Sequence, residues 1–382
     1  MHIRKYFQNL DYWLIGAVFV LTCFGLVAIS SATRINLGES TSFVTKQALF
    51  VAMGFVLMMI AANINYDAFA PFHPLIYLIN LALLVFVLFV GSNTNGAVRW
   101  IDIGPVTIQP SEFAKIMLIF CLAVLLKKYQ TRIDRFDVLL FLTIYMGIPI
   151  ILVQMQPALS ASLVLVAIFV VMIFIAGLPY VYIRNVAIVV VPIVLFIFWD
   201  VVQETPLLLD KILLPHQFNR ILSFADPSRD ASLYYQTEKS ISAIGSGQFS
   251  GKGLYDGTLN QLSYLPEPHN DFIFSVIGEE FGFIGCIFVL GLLLFVIFRC
   301  IVIGIATRDV LGQFIAMGVA GMLAFQTFVN AGVALGLVPN TGMSLPFVGY
   351  GGSAMWTSMI SIGLVLNIRK KGTKSLFEGG LL

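Results

Sequence analysis

Apolar residues fall along this chain in blocks of about 17 to 25, separated by short polar links. Each block matches the ~20 helical residues that cross a ~30 Å hydrocarbon core. Ten spans are predicted, at approximately 13–32, 47–62, 74–91, 112–126, 137–155, 160–177, 186–202, 271–298, 312–337 and 348–367. The first block is too long for a signal h-region and has no small-residue cleavage site, so it reads as a retained helix. The predicted fold class is an all-α integral membrane protein, a polytopic bundle of about ten transmembrane helices forming one domain over residues 1–382. A long extracellular loop, about 203–270, separates helices 7 and 8.

Composition sharpens this picture: 59% of the 382 residues are hydrophobic, 11% are charged, and the mean hydropathy is +0.93, far outside the soluble range. A net charge of +2 gives no basis for a nucleic-acid partner. Orientation follows from Lys and Arg counts. With both termini inside, the inside segments hold 13, namely Arg4, Lys5, Lys127, Lys128, Arg132, Arg135, Arg184, Arg299, Arg308, Arg369, Lys370, Lys371 and Lys374. The short outside loops hold only Arg34, Lys46 and Arg99. The cysteines, Cys23, Cys121, Cys286 and Cys300, fall in or at the ends of spans and imply neither a disulfide nor a metal site.

Polar residues concentrate in three places on the predicted outer face: "NGAVRWIDIGPVTIQPSEFAK" at 95–115, the loop 203–270, and "VPNTGMSLPFVGYGGSAM" at 338–355. In the first, Gly96, Gly104 and Pro105 mark turns, and Pro110 and Ser111 open a helix that puts Glu112 and Lys115 on one face. Such a pair at the mouth of a span is either functional or an ion pair that fixes packing. Arg99 beside Trp100 suits a phosphate or an interfacial anchor. In the second, "HQFNRILSF" and "YYQTEKSISAIG" have amphipathic or re-entrant spacing, and "GSGQFSGKGLYDG" is glycine-rich enough to bring backbone amides near a ligand. No nucleotide phosphate loop is present, since GxxxxGK[ST] is absent. In the third, the prolines and glycines break the helical pattern, as a cavity wall would.

The stretch "LPEPHNDFIFSVIGEE" is the most unusual, with four carboxylates and a histidine beside an apolar span. Pro266 and Pro268 disfavour helix, Asn270 is a suitable N-cap, and the helix would begin at Asp271. Glu279 would be turned about 80° from Asp271, and Glu280 about 180°. A straight helix over 271–298 would reach about 42 Å, so it projects or bends near Gly278 or Gly282. Among phenylalanines the Asp271 carboxyl would be raised in pKa, as suits a general base; the alternative is compensation of the helix dipole. His269 either orients the acid or caps the turn.

With these residues in view, the sequence resembles the SEDS family of peptidoglycan glycosyltransferases (RodA, FtsW and SpoVE). The resemblance runs in order through "RWIDIGPVTIQPSEFAKI", "NRILSFADP", "AIGSGQFSGKGL", "LPEPHNDFIFSVIGEEFGFIG", "NAGVALGLVPNTGMSLPF" and "GYGGSAM". It implies polymerisation of lipid II, an undecaprenyl-pyrophosphate-linked disaccharide pentapeptide, at the outer face of the bacterial cytoplasmic membrane. Asp271 would be the catalytic base, and the reaction would invert the anomeric centre. Arg99, Gln109, Ser111, Glu112, Lys115, Lys252, His269 and Ser353 are the candidate substrate-binding residues. A divalent cation, Mg or Mn, is a further expectation for the pyrophosphate, and the motifs require no other cofactor. Expected partners are a class B penicillin-binding protein and other cell-elongation proteins. "LDYWLI" at 10–15 and the short C-terminal tail make the chain most like RodA, with an FtsW-like division polymerase, a lipid II flippase and a scaffold as alternatives. Two stretches depart from the family pattern. Where it usually reads QPDLGTA, this chain has "QPALSAS", with Ala158 for the acid and Ser160 for the glycine, and Gly349 stands for the usual serine before YGGS.

Overall fold

The computed structural model describes residues 10–34, 37–94, 97–104, 106–203, 215–229, 231–265 and 267–378. Arg4, Lys5, Gly96, Pro105, Lys211 and Pro266 lie outside them. Helices form at all ten predicted places: α1 Tyr12–Ala32, α2 Leu37–Ala61, α3 His73–Val90, α4 Pro110–Tyr129, α5 Phe136–Gln154, α6 Leu159–Ile175, α7 Tyr180–Val202, α11 Ile273–Ala306, α12 Val310–Ala334 and α13 Gly352–Glu378. The chain is a polytopic helical membrane protein. Among the described residues seven helices are long and apolar enough to span by composition alone. The other three are α6, which is 17 residues long, α4, which ends in Lys127 and Lys128, and α13, whose second half carries Arg369, Lys370, Lys371 and Lys374. Between α7 and α11 the chain forms α8 Pro215–Ala225, α9 Ala231–Ser246 and the short α10 Thr258–Gln261, the first two at the segments with amphipathic spacing.

The sequence pattern did not reveal a small antiparallel sheet between α3 and α4, with β1 Ser92–Thr94, β2 Ala97–Ile103 and β3 Val106–Ile108 in the order β1-β2-β3. It ends beside the first turn of α4 and so carries Arg99 to the same end of the bundle as Glu112. Helix α12 is the centre, with 78% of its apolar window buried against α11, α6, α4 and α13. Its small residues permit close packing without a hydrophobic force between helices. At the opposite end the charges are matched: Arg299 bonds Asp11, which caps α1, and Asp309, which caps α12, accepts from Tyr66 and Lys371.

Helix α11 bends where expected, at Gly282, whose backbone (φ 64°, ψ −159°) leaves the helical region. The loop segment 247–253 supplies what the broken turn lacks. Phe283 N and Ile284 N donate to Gln248 O and Phe249 O, and Lys252 N and Gly253 N donate to Glu279 O and Glu280 O. Backbone thus lies on backbone; a Cβ on Gly282 would fall 2.3 Å from Gly251 N. The glycine-rich segment therefore approaches the bent helix rather than a ligand. Beside it Glu279, 0% exposed, accepts from Lys252 Nζ (2.6 Å), Thr258 Oγ1 (3.2 Å), Leu259 N (2.9 Å) and Asn260 N (3.1 Å). Glu280 accepts from Ser31 of α1. Glu279 thus holds the long loop to the bundle, and Glu280 ties α11 to α1.

Candidate functional site

An open cleft lies at the end of the bundle where β2, the first turns of α4 and α6, α8, the turn before α11 and the coil 335–351 meet. Most of its polar side chains are charged or carry an unused hydrogen-bonding atom. Glu112 and Lys115 form a 2.7 Å ion pair across one turn of α4, with Lys115 only 2% exposed. Gln109 N donates to Ser353 Oγ at 3.0 Å, tying the start of α4 to that of α13.

Asp271 stands in the turn that precedes α11. The helix starts at Ile273, two residues later than expected, with Phe272 in the N-cap position and no side-chain cap. The reason is a tertiary contact. Ser275 N bonds Phe272 O, whereas Asp271 O is taken by the side-chain amide of Asn330 at 3.0 Å, so the first helical turn cannot extend back to the acid. Asn270 instead closes a turn onto Glu267 O.

The Asp271 Oδ1 is buried without a hydrogen-bond partner, and its Oδ2 faces Gly342 closely enough that a Cβ there would lie 3.2 Å away. Gly342 has φ +69°, which favours glycine on its own account. The guanidinium of Arg220 on α8 borders the same gap. Burial raises the Asp271 pKa from 3.8 to about 6, against the lowering pull of Arg220; Glu267 adds to the rise and Arg99 opposes it. Arg220 is itself pulled below its ordinary value by burial, with Asp271 supporting its charge and Arg99 opposing it. Gln326 Oε1, Thr341 Oγ1 and Arg99 Nε are also buried and unpartnered along the cleft, groups whose lost hydration calls for a ligand.

A family profile described as "Cell cycle protein", FTSW_RODA_SPOVE, matches residues 12–374. The chain belongs to this family. A probable peptidoglycan glycosyltransferase FtsW of Geobacter sp. (strain M18) is 34% identical, over 94% of this chain and 97% of that protein. Stage V sporulation protein E of Bacillus subtilis (strain 168) is 33% identical over the same shares. Among solved structures, a chain of a peptidoglycan synthase complex superposes with a TM-score of 0.78 at 28% identity, covering 96% of this chain and 99% of the other. Rod shape determining protein RodA of Thermus thermophilus does so with a TM-score of 0.67 at 26% identity, covering 96% and 98%.

In this FtsW/RodA/SpoVE chain the cleft brings together six of the residues expected from sequence: Asp271, Arg99, Gln109, Glu112, Lys115 and Ser353. Three lie elsewhere. Lys252 is held by Glu279, Ser111 is buried behind the α4 surface, and the His269 ring packs between Phe43 and Tyr350. His269 O accepts from Tyr350 N, so this residue fixes the turn through its backbone; burial lowers its imidazole pKa. Sequence reasoning missed Arg220, Gln326, Thr341 and Asn330. Polar amides inside an otherwise apolar span were the available signal for Gln326 and Asn330. Of the two departures, Ala158 is the uncapped N-cap of α6 and Ser160 lines the cleft, while Gly349 sits behind it.

The residues present do not form a divalent-cation site of their own. Among the described residues no group of three or more His, Cys, Asp or Glu side chains converges, Glu112 is claimed by Lys115, and two guanidiniums crowd Asp271. The cleft carries its positive charge on Arg99, Arg220 and Lys115.

Proposed function

We propose that this protein is a peptidoglycan glycosyltransferase that polymerises lipid II, with the cleft facing the outside of the cytoplasmic membrane. The carrying observation is the buried, unpartnered Asp271 Oδ1 beside Arg220 and Arg99 in an open cleft. The Asp271 carboxylate takes the proton from the acceptor sugar hydroxyl. The oxygen attacks the donor's anomeric carbon from the opposite face, the new glycosidic bond forms, and the bond to the lipid pyrophosphate breaks with its electrons. A pKa of about 6 leaves Asp271 ionised near neutrality yet basic enough to accept a proton. Arg99, Arg220 and Lys115 stabilise the charge developing on the leaving pyrophosphate. No cation is needed to write these steps.

The crosslinking that follows polymerisation requires a partner, and a class B penicillin-binding protein is the chemical fit. For the cellular role, the FtsW and SpoVE relatives at 33–34% identity favour septal or spore wall synthesis over the rod elongation suggested by "LDYWLI". Complementation of cells depleted of an FtsW-type or a RodA-type polymerase separates the two. The reaction is tested with purified protein, a crosslinking partner and labelled lipid II. Wild type should make glycan polymer and Asp271→Asn should not; transport of lipid II across vesicles without polymer would favour a flippase.

A further inference from the structure

The amide of Asn330 lies deep in α12, 1% exposed, and its Nδ2 donates to two backbone carbonyls at once: Asp271 O at 3.0 Å and Met343 O at 2.6 Å. The first belongs to the turn that carries the acid. The second belongs to the coil that forms the facing wall, one residue after Gly342, the glycine on which Asp271 Oδ2 rests. A single NH₂ group therefore ties the turn to the coil and sets how far apart these two walls of the cleft stand. The other fixed points on the turn are backbone bonds: Tyr350 N to His269 O at 3.0 Å and Asn270 N to Glu267 O at 3.1 Å. Neither reaches the Asp271 peptide. We infer that Asn330 is a positioning residue for this reaction, one that withdraws the Asp271 carbonyl from helix α11 and holds the carboxylate against Gly342 at the mouth of the cleft. It touches no substrate atom and acts through Asp271.

This rests on the reading of Asp271 as the base, and its physical basis is geometric. Without the Nδ2 donor, Asp271 O becomes a free helical acceptor for Ser275 N, so α11 can wind back by one residue and turn the carboxylate away from Gly342. A displacement of about 1 Å in a reacting group costs on the order of 100-fold in rate. The charged groups that face the Asp271 carboxyl are Arg220 on α8, Arg99 on β2 and Glu267 in its own turn. None of them contacts Asn330, so a change in titration would report movement of Asp271 itself.

The test compares Asn330→Ala, Asn330→Asp and Asp271→Asn, purified in detergent with the crosslinking partner and assayed on labelled lipid II across pH. Asn330→Ala should lose about 10- to 100-fold in kcat with KM within about twofold. Its acid limb should fall below the wild-type midpoint, because a carboxylate freed from its gap regains water and its pKa drops towards the ordinary value. If Asn330→Ala does not fold, Asn330→Asp keeps the volume, sets an oxygen against the two carbonyls, and should show the same loss in kcat at unchanged KM. A kcat within twofold of wild type with the pH midpoint unmoved, while Asp271→Asn is inactive, overturns the inference and leaves the base intact. Activity in Asp271→Asn overturns the base itself.

Discussion

The knot around Glu279 offers a quantitative test of how the long loop is held, because four donors converge on one buried carboxylate. Replacing it by Glu279→Gln keeps the volume but turns one oxygen into a donor. If the amide oxygen stays with Lys252, Thr258 and Leu259, the new NH₂ faces Asn260 N, and two donors oppose each other. An unsatisfied buried donor costs about 1–3 kcal/mol, and loss of the charge weakens the other three bonds by about 1 kcal/mol in sum. Lys252 is 25% exposed, so its share is discounted for solvent screening. The total is about 3 kcal/mol, a fall of roughly 3–6 °C in the melting temperature of the solubilised protein. By the same contacts, Lys252→Met should destabilise the loop without touching substrate, so the KM of the folded enzyme stays at the wild-type value. A Glu279→Gln melting temperature within about 1 °C of wild type, or a Lys252→Met enzyme that melts normally but binds lipid II poorly, would refute it.

Removing Arg220 as Arg220→Gln takes away the cation that opposes the rise in the Asp271 pKa. Because the base must be ionised to act, the acid limb of kcat/KM should move above about 6, seen in a pH profile of polymerisation. At the other end of the bundle, Asp309→Ala removes the N-cap bonds to Leu311 N and Gly312 N and the acceptor for Tyr66. The expected loss is about 2 kcal/mol, read as a lower melting temperature with the specific activity of the folded fraction unchanged. Tyr66 and Lys371 hold the Asp309 carboxyl at about 2 despite its partial burial, below its ordinary 3.8. That stabilisation is therefore complete above about 3.8 and is lost as pH falls through about 2, so the wild type and Asp309→Ala should converge in stability in strong acid.

The spans were legible because bilayer thickness imposes a length on apolar blocks that no other structure requires. The bend at Gly282 was legible from the excess length of one such block. The small sheet was not, since β1 and β3 are only 3 residues each and the apolar pattern of β2 is broken by Arg99 and Asp102. Asp271, Arg99, Glu112 and Lys115 stood out because charge at the mouth of a span is expensive. Arg220 did not, because a cation on an amphipathic loop helix looks like a solvated face until the fold turns it inward. Lys252 was misplaced for the converse reason: a lysine in a glycine-rich loop suggests a ligand, and its partner Glu279 lies 27 residues away. The helix start was placed two residues early because Asn330, which takes the Asp271 carbonyl, sits on a different helix.

The most direct test of the central claim is the amount of glycan polymer formed from labelled lipid II by wild type and Asp271→Asn at equal folded concentration. The account predicts polymer from the first and none from the second, although the variant still folds and still binds lipid II through its cations. Polymerisation by Asp271→Asn at the wild-type rate would contradict it.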